Sequence, residues 1–254
     1  MALVQTEIRG NIGIISLDRP DKRNALSDEM VADLAVAFDA MRLDDDVRVI
    51  VLKGNGPAFC AGADLAYLQQ ISENSPLENL ADSQDLMLML QSIVDLPKPV
   101  IAMVHGPAIA GGCGLATVCD LIVAGREEAV FGYSEVRIGF IPAIVMVYLL
   151  RKVGDMQARR LVLTAQNITA EEAHRIGLVT FVVDDEALEE ETMKLAELMT
   201  QNSSSAMALS KEMLSALHGM SLESGLRYAT SMNALARQTD DCKNGIAKFL
   251  SKSG

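Results

Sequence analysis

The stretch Val47-Arg48-Val49-Ile50-Val51-Leu52-Lys53, followed by Gly54-Asn55-Gly56-Pro57-Ala58-Phe59-Cys60-Ala61-Gly62-Ala63-Asp64-Leu65, decides the fold class. Its first half carries the continuous run Val49 to Leu52, which reads as a strand buried on both faces. Its second half is a strand exit made of small residues. The same pattern recurs at Lys98-Pro99-Val100-Ile101-Ala102-Met103-Val104, which runs into His105-Gly106-Pro107-Ala108-Ile109-Ala110-Gly111-Gly112-Cys113-Gly114-Leu115-Ala116. Asp120 to Ala124 reads as a third such strand. Buried strands with helices between them imply right-handed crossovers and an α/β architecture.

Ahead of this stretch, Leu3 to Ile8 and Ile12 to Leu17 are β-rich runs joined by Arg9-Gly10-Asn11, a predicted hairpin. Ser27 stands at an N-cap position with Asp28 and Glu29 behind it, and Met30, Leu34, Ala37, Phe38 and Met41 repeat at helical spacing. From about Glu186 the pattern turns to helix only. Ala206, Leu209, Met213 and Leu217 mark one helical face, with further helices predicted over Leu222–Arg237 and Asp240–Leu250. The expected division is an α/β core over residues 1–195 and a helical subdomain over 196–254.

Composition narrows the function. A net charge of −12 argues against nucleic acid or anionic membrane as partner, because both require cationic surface. No stretch reaches the roughly 18–20 apolar residues of a membrane span, and the N-terminal residues show no basic region followed by an apolar core. Cys60, Cys113, Cys119 and Cys242 form no CxxC pair, and His105, His174 and His218 fall in no metal-ligand spacing. Reduced thiols, a cytoplasmic location and no bound metal are the expectations.

Both small-residue loops leave the carboxyl ends of strands, where ligands bind in open α/β sheets. If Gly111 opens a helix, its N–H points outward with the positive end of the helix dipole behind it. A second free N–H at Ala63 would complete a two-donor oxyanion hole. Read by itself, Glu135 is a solvated surface acid and Arg137 an arginine paired with a neighbouring acid. Tyr133 reads as a packed aromatic, with a proton relay as the alternative. Ser134 lacks a GxSxG context and His105 reads as structural.

The blocks Phe59–Leu65 (FCAGADL) and Gly106–Ala124 (GPAIAGGCGLATVCDLIVA) together resemble the signatures of the crotonase, or enoyl-CoA hydratase/isomerase, family. Leu17–Leu26 (LDRPDKRNAL), Phe131–Pro142 (FGYSEVRIGFIP) and Asn244–Lys252 (NGIAKFLSK) match in order and spacing, so the likeness spans nearly the whole chain. The resemblance implies a spiral of ββα turns with a C-terminal helical trimerisation region, assembled as a homotrimer or a dimer of trimers. It implies an acyl-CoA thioester substrate and no cofactor beyond the coenzyme A that the substrate carries. It places the thioester oxygen on the backbone N–H groups of Ala63 and Gly111. Lys22, Arg23 and Ala25 fall where the CoA nucleotide is contacted, Asp64, Leu65 and Ala66 beside the pantetheine path, and Lys252 near the nucleotide.

Hydratases of this family usually carry two catalytic glutamates. Glu135 matches the second, whereas Gly114 stands where the first is expected. A lone glutamate can shuttle a proton between carbons, which is isomerase chemistry. Yet GGCGLA together with SEVRIGFIPA resembles hydratases of short or branched enoyl-CoAs, including methylglutaconyl-CoA hydratases. The expected function is therefore hydration of a short or branched 2-enoyl-CoA. A Δ3,Δ2-enoyl-CoA isomerase and a CoA-ester-binding protein with little turnover are the alternatives. Arg137 facing an acidic acyl group, and Ile144 and Val145 shortening the acyl pocket, are further expectations.

Overall fold

In the computed structural model the described residues are 2–252, with only the backbone of Lys252. Strands β1 (Val4–Arg9) and β2 (Ile12–Leu17) form the predicted antiparallel hairpin, with Arg9 opposite Ile12. Helix α1 (Asp28–Leu43) starts where the cap chemistry placed it: the Ser27 hydroxyl accepts the Met30 N–H at 3.3 Å. Its buried residues are Met30, Leu34, Ala37, Phe38 and Met41, the predicted stripe.

Then follow β3 (Val49–Gly54), α2 (Leu65–Gln70) and α3 (Pro76–Val94). The sequence reading did not single out α3. A capping box nucleates it: Ser75 Oγ accepts the Glu78 N–H at 3.3 Å while the Glu78 carboxylate accepts the Ser75 N–H at 2.8 Å. Next come β4 (Val100–Val104), β5 (Ala108–Ile109), α4 (Gly111–Val118), β6 (Leu121–Gly125) and β7 (Val130–Gly132). The chain continues through α5 (Ala143–Thr164), β8 (Ile168–Thr169), α6 (Ala170–Arg175) and β9 (Phe181–Val183). It closes with α7 (Leu188–Thr200), α8 (Ser204–Leu217), α9 (Leu222–Ala236) and α10 (Asp240–Lys252).

The main sheet has the order β1-β2-β3-β4-β6-β9, parallel from β2 onward. Val51 lies opposite both Ile14 and Ile101, and alternate side chains leave by opposite faces. Ile50, Leu52, Val100, Ala102 and Val104 pack with residues of α1, α3, α4 and α5. Val49, Val51, Ile101 and Met103 pack with Leu188, Met193, Ala196 and Met199 of α7. Two covered faces explain why these strands read as unbroken apolar runs. A small second sheet, β5-β7-β8, joins the second loop to the segment just ahead of Glu135.

Residue 195 falls inside α7, and α7 packs on the main sheet; the helices that leave the sheet start at α8. Two side chains help to dock them: Arg48, which donates to Ser204 Oγ and Asn202 C=O, and Lys211. Lys211 of α8 is buried, and its Nζ donates to the carbonyls of Ile93 (3.0 Å) and Lys98 (3.1 Å) and pairs with Asp120 Oδ2 at 2.8 Å.

Cys60, Cys113 and Cys119 are free and buried, with burial pushing each thiol up to about 12; Cys242 is half-buried. Among the described residues no helix is long and apolar enough to cross a membrane, and no three His, Cys, Asp or Glu side chains cluster as a metal site.

Candidate active site

The first loop is held by a template strand from the segment before α1. Leu26 N–H donates to Gly62 C=O at 2.7 Å, and Asp64 N–H donates to Leu26 C=O at 2.8 Å, a parallel bridge between Leu26 and Ala63. In a parallel bridge the residue between the two bonded neighbours turns its own N–H the other way. The Ala63 N–H therefore points away from Leu26, and Ala63 lines the cleft.

Asn24 is the clasp of this arrangement. It is fully buried with φ +56°, and its Oδ1 accepts the Arg19 N–H at 2.9 Å. Its Nδ2 reaches the carbonyls of Asn55 and Ala58 at 2.9 Å and Phe59 at 3.2 Å. Asp64 is the second clasp. One of its oxygens accepts from Ala66 N–H (2.8 Å) and Tyr67 N–H (3.4 Å), capping α2, and the other pairs with Arg19 at 2.7 Å. Burial raises its carboxyl, but the α2 backbone N–H groups and the Arg19 guanidinium prevail and hold it below the usual value.

The second loop meets the first at Gly62, whose φ is +89°. A Cβ there would stand 2.7 Å from Ile109 O and 2.8 Å from the Ala110 Cβ, so only glycine admits this approach. Ala110, the N-cap of α4, sits at φ +51°, ψ −126°, a sparsely populated conformation for a residue with a side chain. Its N–H is bound to Gly132 C=O at 2.7 Å. Gly111 then opens α4, so its N–H has no partner within the helix and carries the positive end of the dipole.

Glu135 begins a tight 3-10 turn over Glu135–Ile138, anchored by the Phe140 N–H on Glu135 C=O at 3.0 Å. It is 7% exposed, and its Oε2 is buried without a hydrogen-bond partner. Burial pushes its carboxyl above the ordinary value, opposed by a bond to its own backbone N–H. The expectation of a solvated surface acid is thus corrected. The turn folds the side chain inward, into the wall of a cleft of about 1080 Å³ that also holds Ala63 and Gly111.

Other sequence candidates separate. Leu65 lines the cleft, as do Ser134, Ile144 and Val145. Lys22 and Arg23 are exposed at the corner before the template strand, and Arg23 C=O accepts the Ala61 N–H at 3.0 Å, so this corner abuts the first loop. Ala25 is buried between them. Gly114 lies buried within α4, beneath Val145. Lys252 ends α10, and its side chain lies outside the described residues.

Tyr133 is packed as expected, its hydroxyl 2.8 Å from that of Thr117. His105 holds Gly56 C=O at 2.8 Å. Among the described residues Arg137 pairs with no acid: its Nη2 donates to Ala165 C=O at 2.5 Å, a correction that also fixes the guanidinium on the C-terminus of α5. The reading of the sequence missed Asn24, Arg19 and Tyr67. Tyr67 lines the cleft and donates to Asp82 of α3. None of the three carried a signal of its role in the local sequence, since Asn24 follows the charged run Asp21-Lys22-Arg23.

A family model described as enoyl-CoA hydratase/isomerase matches residues 7–254. A Thermus thermophilus protein provisionally assigned as an enoyl-CoA hydratase is 44% identical over 98% of both chains. The 2,3-dehydroadipyl-CoA hydratase of Escherichia coli is 34% identical over 94% of this chain and 92% of its own. The crystal structure of an enoyl-CoA hydratase from Shewanella pealeana superposes with a TM-score of 0.93 at 29% identity, covering 98% of this chain and 94% of that one. The two clasped loops, the spiral sheet and the helical C-terminus agree with these likenesses over the full length. This chain belongs to the enoyl-CoA hydratase/isomerase family.

Proposed function

We propose that the protein adds water to a short or branched 2-enoyl-CoA, or removes it from the corresponding 3-hydroxyacyl-CoA. The observation that carries this reading is Glu135 Oε2, buried in the cleft wall with no partner in the fold. A carboxylate left bare in an apolar wall is available to a reacting proton.

In the hydration direction Glu135 takes a proton from water as its oxygen bonds to Cβ. The electron pair of the double bond moves to the thioester oxygen, which the N–H groups of Ala63 and Gly111 hold. Glu135 then returns that proton to Cα, giving net addition of one water. Two aligned donors suffice to stabilise the enolate, each worth about 3–4 kcal/mol in such sites. The reaction calls for no cofactor beyond the coenzyme A carried by the substrate. Lys22, Arg23 and Ala25 would meet its nucleotide together with Lys252, and Leu65 and Ala66 its pantetheine.

Val145 and Ile144 in the cleft wall support a short acyl group. Arg137 is held on Ala165 C=O and is not among the residues that line the cleft, so an uncharged acyl group fits better than a methylglutaconyl carboxylate. A homotrimer or dimer of trimers in the cytoplasm completes the proposal. Leu214, Leu222, Leu226, Leu235, Ile246 and Leu250 on α8 to α10 are exposed in the single chain and would be covered in such an assembly.

The test is incubation with crotonyl-CoA and 3-methylglutaconyl-CoA, with products identified by mass. Gain of one water supports the hydratase. The second reading, Δ3,Δ2-isomerisation, is favoured by the absence of a carboxylate at Gly114. A 3-enoyl-CoA converted to the 2-enoyl isomer with no hydroxyacyl product would establish it. Tight thioester binding with no product from either class would leave a CoA-ester-binding protein.

A further inference from the structure

We infer that Val145 keeps a second acid from joining Glu135: it occupies the volume that a side chain at position 114 would need, so α4 can bring no carboxylate into the cleft. This rests on reading the cleft as an enoyl-CoA site. Gly114 lies in the buried helix α4, three residues after the proposed oxyanion donor Gly111. A Cβ on Gly114 would stand 2.1 Å from Val145 Cγ1 and 2.5 Å from Val145 Cβ. Those distances are far inside contact, and a close-packed interior cannot absorb them.

The exclusion is reciprocal. Val145 is 5% exposed in the first turn of α5, seated on the bare backbone of α4, and it lines the cleft together with Glu135. Alanine at 145 would keep the Cβ that already stands at 2.5 Å, so only glycine at 145 makes room for a side chain at 114. Nor does a phenol replace the missing acid: the Tyr133 hydroxyl is buried against Thr117, and the Tyr67 hydroxyl, in the cleft wall, is donated to Asp82. What fills the place of a second proton carrier is therefore a pair of methyl groups. On this reading Glu135 carries both proton steps.

A substitution cycle tests this. Gly114→Ala should lower the melting temperature of the otherwise wild-type protein by roughly 3–10 °C, and by less than half as much in the Val145→Gly background. In that same background, Gly114→Glu should speed water addition to crotonyl-CoA by about tenfold or more over Val145→Gly alone, with a second ionisation in the pH profile. Equal thermal losses from Gly114→Ala in both backgrounds would overturn the proposal. So would a folded Gly114→Glu/Val145→Gly protein that hydrates no faster than Val145→Gly. A wild-type protein inert toward every enoyl-CoA overturns the parent reading with it, whereas an active wild type without the gain overturns this inference alone.

Discussion

Glu135 shows how much one residue's meaning depends on where the backbone turns. On a helix surface it would be an ordinary acid; in the 3-10 turn after Ser134 it is buried with Oε2 bare. Replacing it by Gln should lower kcat by ~10²–10⁴, with KM changed far less, because the lost group acts on the moving proton. Hydration requires the carboxylate form, so its rate should climb as pH rises through a value above the ordinary 4.5. Stability runs the other way. The folded state binds the Glu135 proton more tightly than the unfolded state, so this group's contribution is full below 4.5 and is lost as pH rises through the raised folded value. Glu135→Gln should accordingly melt higher than wild type at neutral pH, and the gap should shrink on acidification; a gap independent of pH would refute the assignment. Gly62 is constrained as tightly. Gly62→Ala combines a φ of +89° with contacts of 2.7 and 2.8 Å to the second loop, and should cost on the order of 10²–10³ in kcat through a displaced donor.

Among the elements, the short template Asn24–Leu26 does what a full strand does elsewhere. It uses the Gly62 carbonyl and the Asp64 N–H and leaves the Ala63 N–H out of the bridge. Asn24 keeps the template in place by donating to carbonyls that no other described side chain reaches. Asn24→Ala leaves those buried acceptors without a donor, at about 1–3 kcal/mol for each one stranded, which a urea titration would register as a lower midpoint. Helix α4 is the partner element. Its eight residues are so closely surrounded that only small or apolar side chains fit, and its N-terminus is aimed by the strained Ala110. The functional loops are thus held by backbone geometry at one end and by buried polar clasps at the other.

Across the whole molecule, the helices after α7 are joined to the sheet by an ion pair as much as by apolar packing. Lys211→Met would leave the Ile93 and Lys98 carbonyls without that donor and Asp120 without its ion-pair partner, though the Asp120 carboxylate keeps the Val100 N–H. Breaking a buried pair typically costs about 3–5 kcal/mol, and the lower end applies because the Asp120 side chain is 28% exposed. Thermal unfolding should register the loss with little dependence on salt, since the ammonium is shielded from solvent. If the α8–α10 region also builds a trimer, the same substitution should lower the assembly state seen by sedimentation.

How far the sequence alone carried follows from which interactions are local. The hairpin, α1 with its Ser27 cap, the buried strands β3, β4 and β6 and the helical C-terminus were all legible, because period and capping chemistry lie within a few residues of one another. The family was legible as well, through blocks of contiguous residues, and the two loops those blocks name meet in one cleft lined by Ala63 and Gly111. Helix α3, the small sheet β5-β7-β8, the inward turn of Glu135 and the Arg137 bond to Ala165 were not. Each depends on partners distant in the chain, or on a signal as short as a single capping box. Gly114 was readable as a missing carboxylate, but the residue that fills its place lies 31 positions away at Val145. Asn24 and Lys211 likewise looked like ordinary polar residues, because a buried donor is recognised only by the carbonyls that folding brings to it. Sequence therefore determined the architecture and the class of chemistry, while tertiary packing decided which polar groups are clasps, which one is left bare, and what fills the place beside Gly114, because those depend on residues that only folding brings together.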